Sequence, residues 1–372
     1  MSRSPGTPRV LHIHGSLARG NPQAERCVRL IEAFGGRMRH TLVAVDGDFG
    51  AAENTTKGIA VERRATFPPL GGLPLPGRLQ RIAREMVDFH LVLTYGRAGT
   101  GAALAHTSFS EVLALPPLIH HEDGSDETRL QRRGFRSRWL RRLGLGKSAG
   151  LVVPSETMEA VALVDWQQPL GRVKLIADGV DLTRFARPPA SPSIGRLLKR
   201  EGEYWLGCVL QNGDGADVAP WVDALAALDA SWHLVIVGDL RRRDEIEQAV
   251  ARHALPHRVH LAGAVHDPAT AMALFDMVVI AGGEGPLPLA AVYAMAAGKP
   301  VIGLDSAEAE SVLAPENAAL GRGDLENLAQ DAARRHTIGE ANRARARAER
   351  DEAAMIATYR RLYASAMARA TI

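Results

Sequence analysis

Several stretches of this 372-residue chain carry side chains whose types and spacing could do chemistry. His120-His121-Glu122-Asp123-Gly124 closes an apolar run. Two imidazoles and two carboxylates could ligate a metal, but neighbours on a strand point to opposite faces and do not converge on one ion, so no metal is expected. The pattern predicts one histidine in the core and one facing a binding site. Glu122 and Asp123 either bind hydroxyls or are ordinary solvated loop acids. Gly282-Gly283-Glu284-Gly285-Pro286-Leu287 opens an Ala-rich helix. A helix N-terminus after a glycine turn favours an anion or a hydroxyl-rich ligand. With equal weight, the glycines serve close packing of that helix on a sheet. Gly20-Asn21-Pro22-Gln23 and the run from Leu210 and Gln211 to Asp217 are further loops placed after strands. Ser155 resembles a nucleophile only in isolation: it is expected to cap a helix whose first turn holds Glu156 and Glu159.

Residues 129–147 hold eight bases (Arg129, Arg132, Arg133, Arg136, Arg138, Arg141, Arg142 and Lys147) and no acid, with Trp139, Leu140, Leu143 and Leu145 between them. Such a segment either lies on anionic lipid through Arg132, Arg133, Arg136, Arg138, Trp139, Arg141 and Arg142, or packs its leucines on the domain as a surface helix.

The elements that must hold these residues are strands alternating with helices. Short continuous apolar strands are predicted at 10–14, 41–45, 91–95, 117–121, 150–153 and 173–176, and again at 204–210, 233–237, 258–262, 277–281 and 300–304. The intervening helical patterns argue for parallel βαβ units, buried on both faces. The class is α/β. Residues 47–75 read as a surface excursion with one short strand near 59–61, and 340–369 as one long helix. Arg187-Pro188-Pro189 to Ser193 reads as a linker. Ligands of open parallel sheets bind beyond the strands' carboxyl ends, which is where the loops above fall.

Composition narrows the class further. Hydrophobic residues make up 46% and charged residues 23%, which excludes general disorder. The formal net charge of +3 gives no case for nucleic acid. The start lacks the apolar core of a signal peptide, and no window is long and apolar enough to span a bilayer. Two cysteines, Cys27 and Cys208, exclude a disulfide framework, and a reduced cytoplasmic setting is expected.

The motifs together resemble the retaining glycosyltransferases of family 4, with the GT-B fold. The glutamate–glycine turn at 284–285 followed by Ala294-Met295-Ala296-Ala297-Gly298-Lys299-Pro300-Val301 is similar to that family's signature. Gly20-Asn21 resembles its glycine loop facing the donor phosphates, and His120–Gly124 its acceptor-side loop. Val152-Val153-Pro154-Ser155 and Asp178-Gly179-Val180-Asp181 with Phe185 resemble the close of its N-terminal domain. The resemblance implies two Rossmann-like parallel-sheet domains facing each other across a cleft. Residues 1–187 would be the acceptor domain, 188–355 the donor-nucleotide domain, and 356–372 a helix packing back on the N-terminal domain. It implies His121 as a hydrogen-bond partner of the donor sugar, with Glu122, Asp123 and Glu284 completing the catalytic set. Gly20, Asn21, Gln211, Gly238, Asp239, Arg241, Gly285, Pro286, Leu287 and Tyr293 would line the donor site. No cofactor is implied beyond a nucleotide-sugar substrate. The reaction would proceed with retention, the leaving diphosphate helping to remove the acceptor proton. The acceptor would be a surface polysaccharide or a lipid-linked glycan, reached from the inner face of the cytoplasmic membrane.

The departures from the pattern concern the donor. Tyr293 stands where the family places the glutamate that accepts both ribose hydroxyls, which a phenol cannot do bidentately. Gln211 and Ala216 replace the arginine and lysine that clamp the diphosphate, and Asp214 and Asp217 add the wrong sign. Losing both clamps would cost roughly 3–6 kcal/mol of donor binding, or about two to four decades. Arg19 and Arg241 to Arg243 are the candidate replacements. The alternative is a pseudo-transferase, kept as a binding or scaffold subunit of a glycan-synthesis complex.

Overall fold

The structure is a computed structural model that describes residues 6–19, 21–53, 58–122, 135–187, 191–210, 217–238, 243–263, 265, 267–281, 289–303, 310 and 312–369. The chain divides into two compact units, Met1–Asp178 with Met355–Ile372, and Gly179–Ala354. The first crossing lies before the proline linker. Val180 and Phe185 are buried in the second unit's core, and the Val180 backbone bonds with Arg350 and Glu352.

In the first unit the strands are β1 (Arg9–His14), β2 (Arg39–Ala44), β3 (Val61–Arg63), β4 (Leu91–Tyr95), β5 (Leu118–His121), β6 (Gly150–Val153) and β7 (Val173–Leu175). They form one sheet in the order β3-β2-β1-β4-β5-β6-β7, and every neighbouring pair is parallel. Strand alternation divides their side chains between two cores. Leu11, Ile13, Val92, Leu118, Leu151 and Val153 face the core shared with Ile82, Ala103 and Trp166. Val10, Leu93, Tyr95, Ile119 and Val152 face the other, built with Cys27, Ile31, Tyr359 and Tyr363. That second layer consists of helix Pro22–Phe34 and the C-terminal helix Glu352–Arg369.

Helix Gly96–Phe109 begins earlier than its glycines predict. A Cβ on Gly99 would lie 2.9 Å from Thr94 Cβ, so the glycine lets this helix rest directly on β4. Tertiary packing there outweighs the poor helix propensity of glycine.

The second unit opens with a small antiparallel hairpin, β8 (Ser193–Ile194) and β9 (Leu197–Leu198). Its sheet comprises β10 (Tyr204–Leu210), β11 (Trp232–Gly238), β12 (Val259–Gly263), β13 (Met277–Val279) and β14 (Val301–Ile302), in the order β12-β11-β10-β13-β14. All neighbouring pairs are parallel. Helix Leu289–Ala296 is apolar nearly all round, and every residue of it except Tyr293 is buried. A helix of that composition belongs inside a protein. It ends at Gly298, whose φ of +69° is accessible to glycine without strain.

The last helical pattern is two helices, Ala332–Glu349 and Glu352–Arg369. At the break Arg350 leaves helical geometry, its carbonyl accepts from Val180, and Asp351 Oδ1 accepts from Ala354 N. The chain crosses back to the first unit at this point, and continuous periodicity on either side hides the interruption. Among the described residues no helix is long and apolar enough to cross a membrane.

Candidate functional site

Both sheets reverse strand order beside their first strand, between β1 and β4 and between β10 and β13. Open α/β sheets bind ligands at such points, beyond the carboxyl ends of the strands. In the first unit these ends carry His14, Tyr95, Gly96, His121 and Glu122.

Helix Pro22–Phe34 starts at this edge. Asn21 Oδ1 accepts from the amides of Gln23 (3.0 Å) and Ala24 (3.3 Å), and Pro22 occupies the first turn, where its missing N–H costs nothing. Asn21 thereby occupies two of the amides that a phosphate would otherwise reach. Gln23 Nε2 donates to the His121 carbonyl at 3.3 Å. Gly96, at φ +52°, passes so close to Gln23 that an added Cβ would lie 3.4 Å from its Oε1. Arg26, 2% exposed, donates to Asp178 at 2.8 Å, a bond within the first unit. Asp181 caps helix Leu182–Phe185.

The two histidines occupy opposite faces of β5, as alternation requires, but both are fully buried. His121, the expected partner of the donor sugar, is thus enclosed by protein groups. Its ring stacks on Tyr95 (4.6 Å between centroids), and its Nε2 lies 2.9 Å from the Tyr363 hydroxyl. Tyr363 belongs to the C-terminal helix, which closes over this face. Its Nδ1 is 3.4 Å from the Thr94 carbonyl, so Nδ1 carries the proton and Nε2 accepts from Tyr363. Burial, then the Arg26 charge, holds the His121 pKa well below the usual value, and the ring is neutral at physiological pH.

On the other face, Glu122 Oε1 accepts from Arg141 Nε at 2.9 Å and from His120 Nε2 at 3.2 Å, and His120 Nδ1 accepts from Thr94 Oγ1 at 2.8 Å. Burial pushes the Glu122 pKa up, but Arg141 and His120 outweigh it and bring it down to about 2. Glu122 is thus a buried, charged group held at Oε1 by two partners. Arg141 is only 2% exposed and lies 5.0 Å over the Trp166 ring. Its helix, Phe135–Gly144, turns this one arginine inward to neutralise Glu122.

The same helix leaves Arg138, Trp139 and Arg142 exposed, with the Arg142 guanidinium 5.3 Å over the Trp139 ring. Leu140 and Leu143 are 42% and 53% exposed, whereas Leu145, just past the helix, is buried in the core. Arg132 and Arg133 lie outside the described residues, as does the side chain of Arg136.

In the second unit, Gly238 ends β11 at φ +121°, and an added Cβ would collide with the Leu210 carbonyl. The two strand ends therefore approach at backbone contact where their loops begin. The Tyr293 ring stacks on Phe185 at 4.9 Å, so the residue replacing the ribose glutamate packs against the segment that closes the N-terminal motif series. Gly20, Asp123, Gln211, Asp239, Arg241, Glu284, Gly285, Pro286 and Leu287 lie outside the described residues, as do Asp214, Ala216 and Arg242. Of the other candidate clamps, Arg19 pairs with Glu53 at 2.8 Å and Arg243 with Glu247 at 2.6 Å.

Sequence reasoning overlooked the polar groups packed on the His121 face: His12, His14, Cys27, His40, Tyr95, Tyr359 and Tyr363. The available signal was two histidines at alternate positions of an otherwise apolar strand.

Two Rossmann-like parallel-sheet units with ligand loops at their strand ends define the fold of the GT-B glycosyltransferases. Solved structures agree over nearly the whole chain. A HepE protein from Anabaena, in complex with UDP, superposes with a TM-score of 0.75 at 19% identity, covering 96% of this chain and 100% of its own. Sucrose-phosphate synthase from Thermosynechococcus elongatus gives 0.74 at 18% identity, covering 97% and 100%. The lipopolysaccharide outer core galactosyltransferase WaaB gives 0.66 at 12% identity, covering 96% and 99%. Residues 208–336 match the family described as glycosyl transferases group 1. Residues 208–336 are thus similar to a group 1 glycosyltransferase domain, and the whole chain has the GT-B fold. No curated protein matches the chain.

Proposed function

We propose that this protein transfers a sugar from a nucleotide-sugar donor, with retention, to a surface-polysaccharide or lipid-linked glycan acceptor. The observation that carries this is the group 1 match over residues 208–336, which includes every donor-side motif of the second unit. The HepE neighbour has been solved with UDP and with UDP-glucose, which makes uridine donors the first to test. The donor loops around Gln211, Asp239, Arg241 and Glu284–Leu287 would hold the nucleotide. Asp123, next to the anchored Glu122, would face the acceptor. His121 and Glu122 act as fixed supports that hold the ends of β4 and β5 in place. Calorimetric titration with nucleotide diphosphates and nucleotide sugars tests the reading: heat is expected with at least one of them, and silence from the whole panel removes it.

One observation favours a second reading. His121 and Glu122 are both engaged by protein partners and shielded from solvent, which suits a chain that binds donor without turning it over. Incubation of a bound nucleotide sugar with and without glycan acceptors separates the two, since the enzyme releases nucleoside diphosphate and the binding subunit does not.

We further propose that the protein sits peripherally on the inner face of the cytoplasmic membrane. Exposed Arg138, Trp139, Leu140, Arg142 and Leu143 give helix Phe135–Gly144 the charged and apolar groups of an interfacial helix. Each arginine near an anionic surface contributes about 1 kcal/mol, so the double substitution Arg138→Gln/Arg142→Gln should weaken binding to anionic vesicles roughly 30-fold. Cosedimentation with phosphatidylglycerol vesicles at low and high salt measures this. Equal binding by both proteins would remove this helix from the contact.

A further inference from the structure

The His121 face of the first sheet holds a cluster that the transfer reaction does not use. His12 and His14 project from β1 towards helix Pro22–Phe34, where Cys27 meets them. One ligand atom from each of the three lies within 4.8 Å of the other two, and all three residues are buried. Cys27 Sγ is already 3.3 Å from His12 Nδ1. The far side of the His12 ring is fixed, because Nε2 lies 3.0 Å from His40 Nδ1. In the tautomer in which Nε2 donates to His40, Nδ1 is left as the coordinating atom, with the second imidazole holding the ring from behind. His14 Nε2 is buried with no hydrogen-bond partner among the described residues, a condition that buried polar atoms rarely accept. The His14 ring is held in place by stacking on Tyr95, 3.7 Å between centroids.

We propose that His12, His14 and Cys27 form a binding site for a monovalent soft metal ion, copper(I). The donor atoms decide the metal. Two neutral imidazoles and one thiolate make a three-membered, sulfur-containing set, which suits copper(I) better than ions that need oxygen ligands or a fourth donor. Charge decides in the same direction. Asp178, which reaches this layer, is paired with Arg26, and the set itself offers a single negative charge. Copper(I) with one thiolate is neutral overall. A divalent ion would leave a net positive charge in a buried pocket beside the Arg26 guanidinium, which is costly. Size also fits. With bonds of about 2.0 Å to nitrogen and 2.3 Å to sulfur, a trigonal site has edges of roughly 3.5–3.7 Å, so sub-ångström side-chain shifts close the triangle. Binding replaces the thiol proton, which leaves to solvent as the copper–sulfur bond forms, and no electron is transferred. The Tyr95 hydroxyl, 3.1 Å from His12 Nδ1 without the metal, then donates to the thiolate.

The test uses the full chain, reduced and anaerobic, against copper(I) held by the chelator bicinchoninate. One equivalent should pass to the protein, with an ultraviolet thiolate-to-copper band. Cys27→Ser should weaken binding at least about a hundredfold, while Cys208→Ser, at the only other cysteine, changes nothing. His40→Ala, which frees the His12 ring, should weaken it by about ten- to a hundredfold. X-ray absorption of the loaded wild-type protein should read one sulfur and two nitrogens, and this decides the matter even if the Cys27 variant misfolds. Failure to take copper from the chelator, undiminished binding by a folded Cys27→Ser protein, a different donor count, or displacement of copper(I) by equimolar zinc would each overturn the site.

Discussion

The urea midpoint of the protein should fall steeply as the pH is lowered from about 7.5 to about 5, well before ordinary carboxylates titrate. The cause is the load of buried imidazoles in the first unit. Burial lowers the pKa of His14 to about 3 and that of His40 to about 4, and holds His12 and His121 well below the usual value. His106 is shifted in the same direction, also by burial. In the unfolded chain each returns to about 6.5. Between these limits the unfolded state binds more protons than the folded one, so stability rises with pH and is lost as pH falls through 6.5. The loss stops growing only when the folded rings themselves protonate, near pH 4 for His40 and near pH 3 for His14. Each histidine removes roughly 2 kcal/mol by about pH 5, and four of them approach the whole stability of a typical domain. His14→Phe keeps a ring against Tyr95 and removes one of these proton uptakes. It should flatten the pH slope by about 1.4 kcal/mol per pH unit. A wild-type midpoint that stays level over this range would mean that these rings are hydrated in solution.

The second large effect concerns Arg141. Arg141→Met should destabilise the first unit by about 3–5 kcal/mol, because it strands the Glu122 carboxylate in a buried site without its cation. For a unit of this size that is roughly 6–20 °C in the thermal midpoint. Methionine retains much of the arginine's contact with Trp166, so the loss isolates the charge. Adding Glu122→Gln should recover most of the stability, since a neutral amide leaves no charge to solvate. The pH response of the single variant also has a definite sign. With Arg141 gone, burial raises the Glu122 pKa, the carboxyl takes up a proton on mild acidification, and the gap between variant and wild type narrows as pH falls. Thermal denaturation of the three proteins at two pH values checks both statements. A single-variant loss below about 1 kcal/mol would place the pair among solvent-screened surface bridges.

The sequence alone determined the order of elements and the sorting of side chains between faces. Strand positions follow from short apolar runs, and strands such as Leu91–Tyr95 and Gly150–Val153 end at the residues expected. The faces taken by His120 and His121 follow from a two-residue repeat, and the cap on helix Glu156–Val164 from Ser155. These are local effects, decided by neighbours within a turn of helix or a step of strand. What covers each face was not legible. His121 is closed by Tyr363, 242 positions away, and nothing near His121 announces that partner. Among the arginines of 129–147, no local rule selects Arg141 as the one that turns inward, since the choice depends on Glu122 and Trp166 arriving beneath it. The break at Arg350 lies within unbroken helical periodicity and exists because Val180 bonds to it from 170 residues earlier. Tertiary structure decided burial, and burial set the protonation of the histidines, because desolvation depends on every group that packs around an atom and not on the residues beside it in the chain.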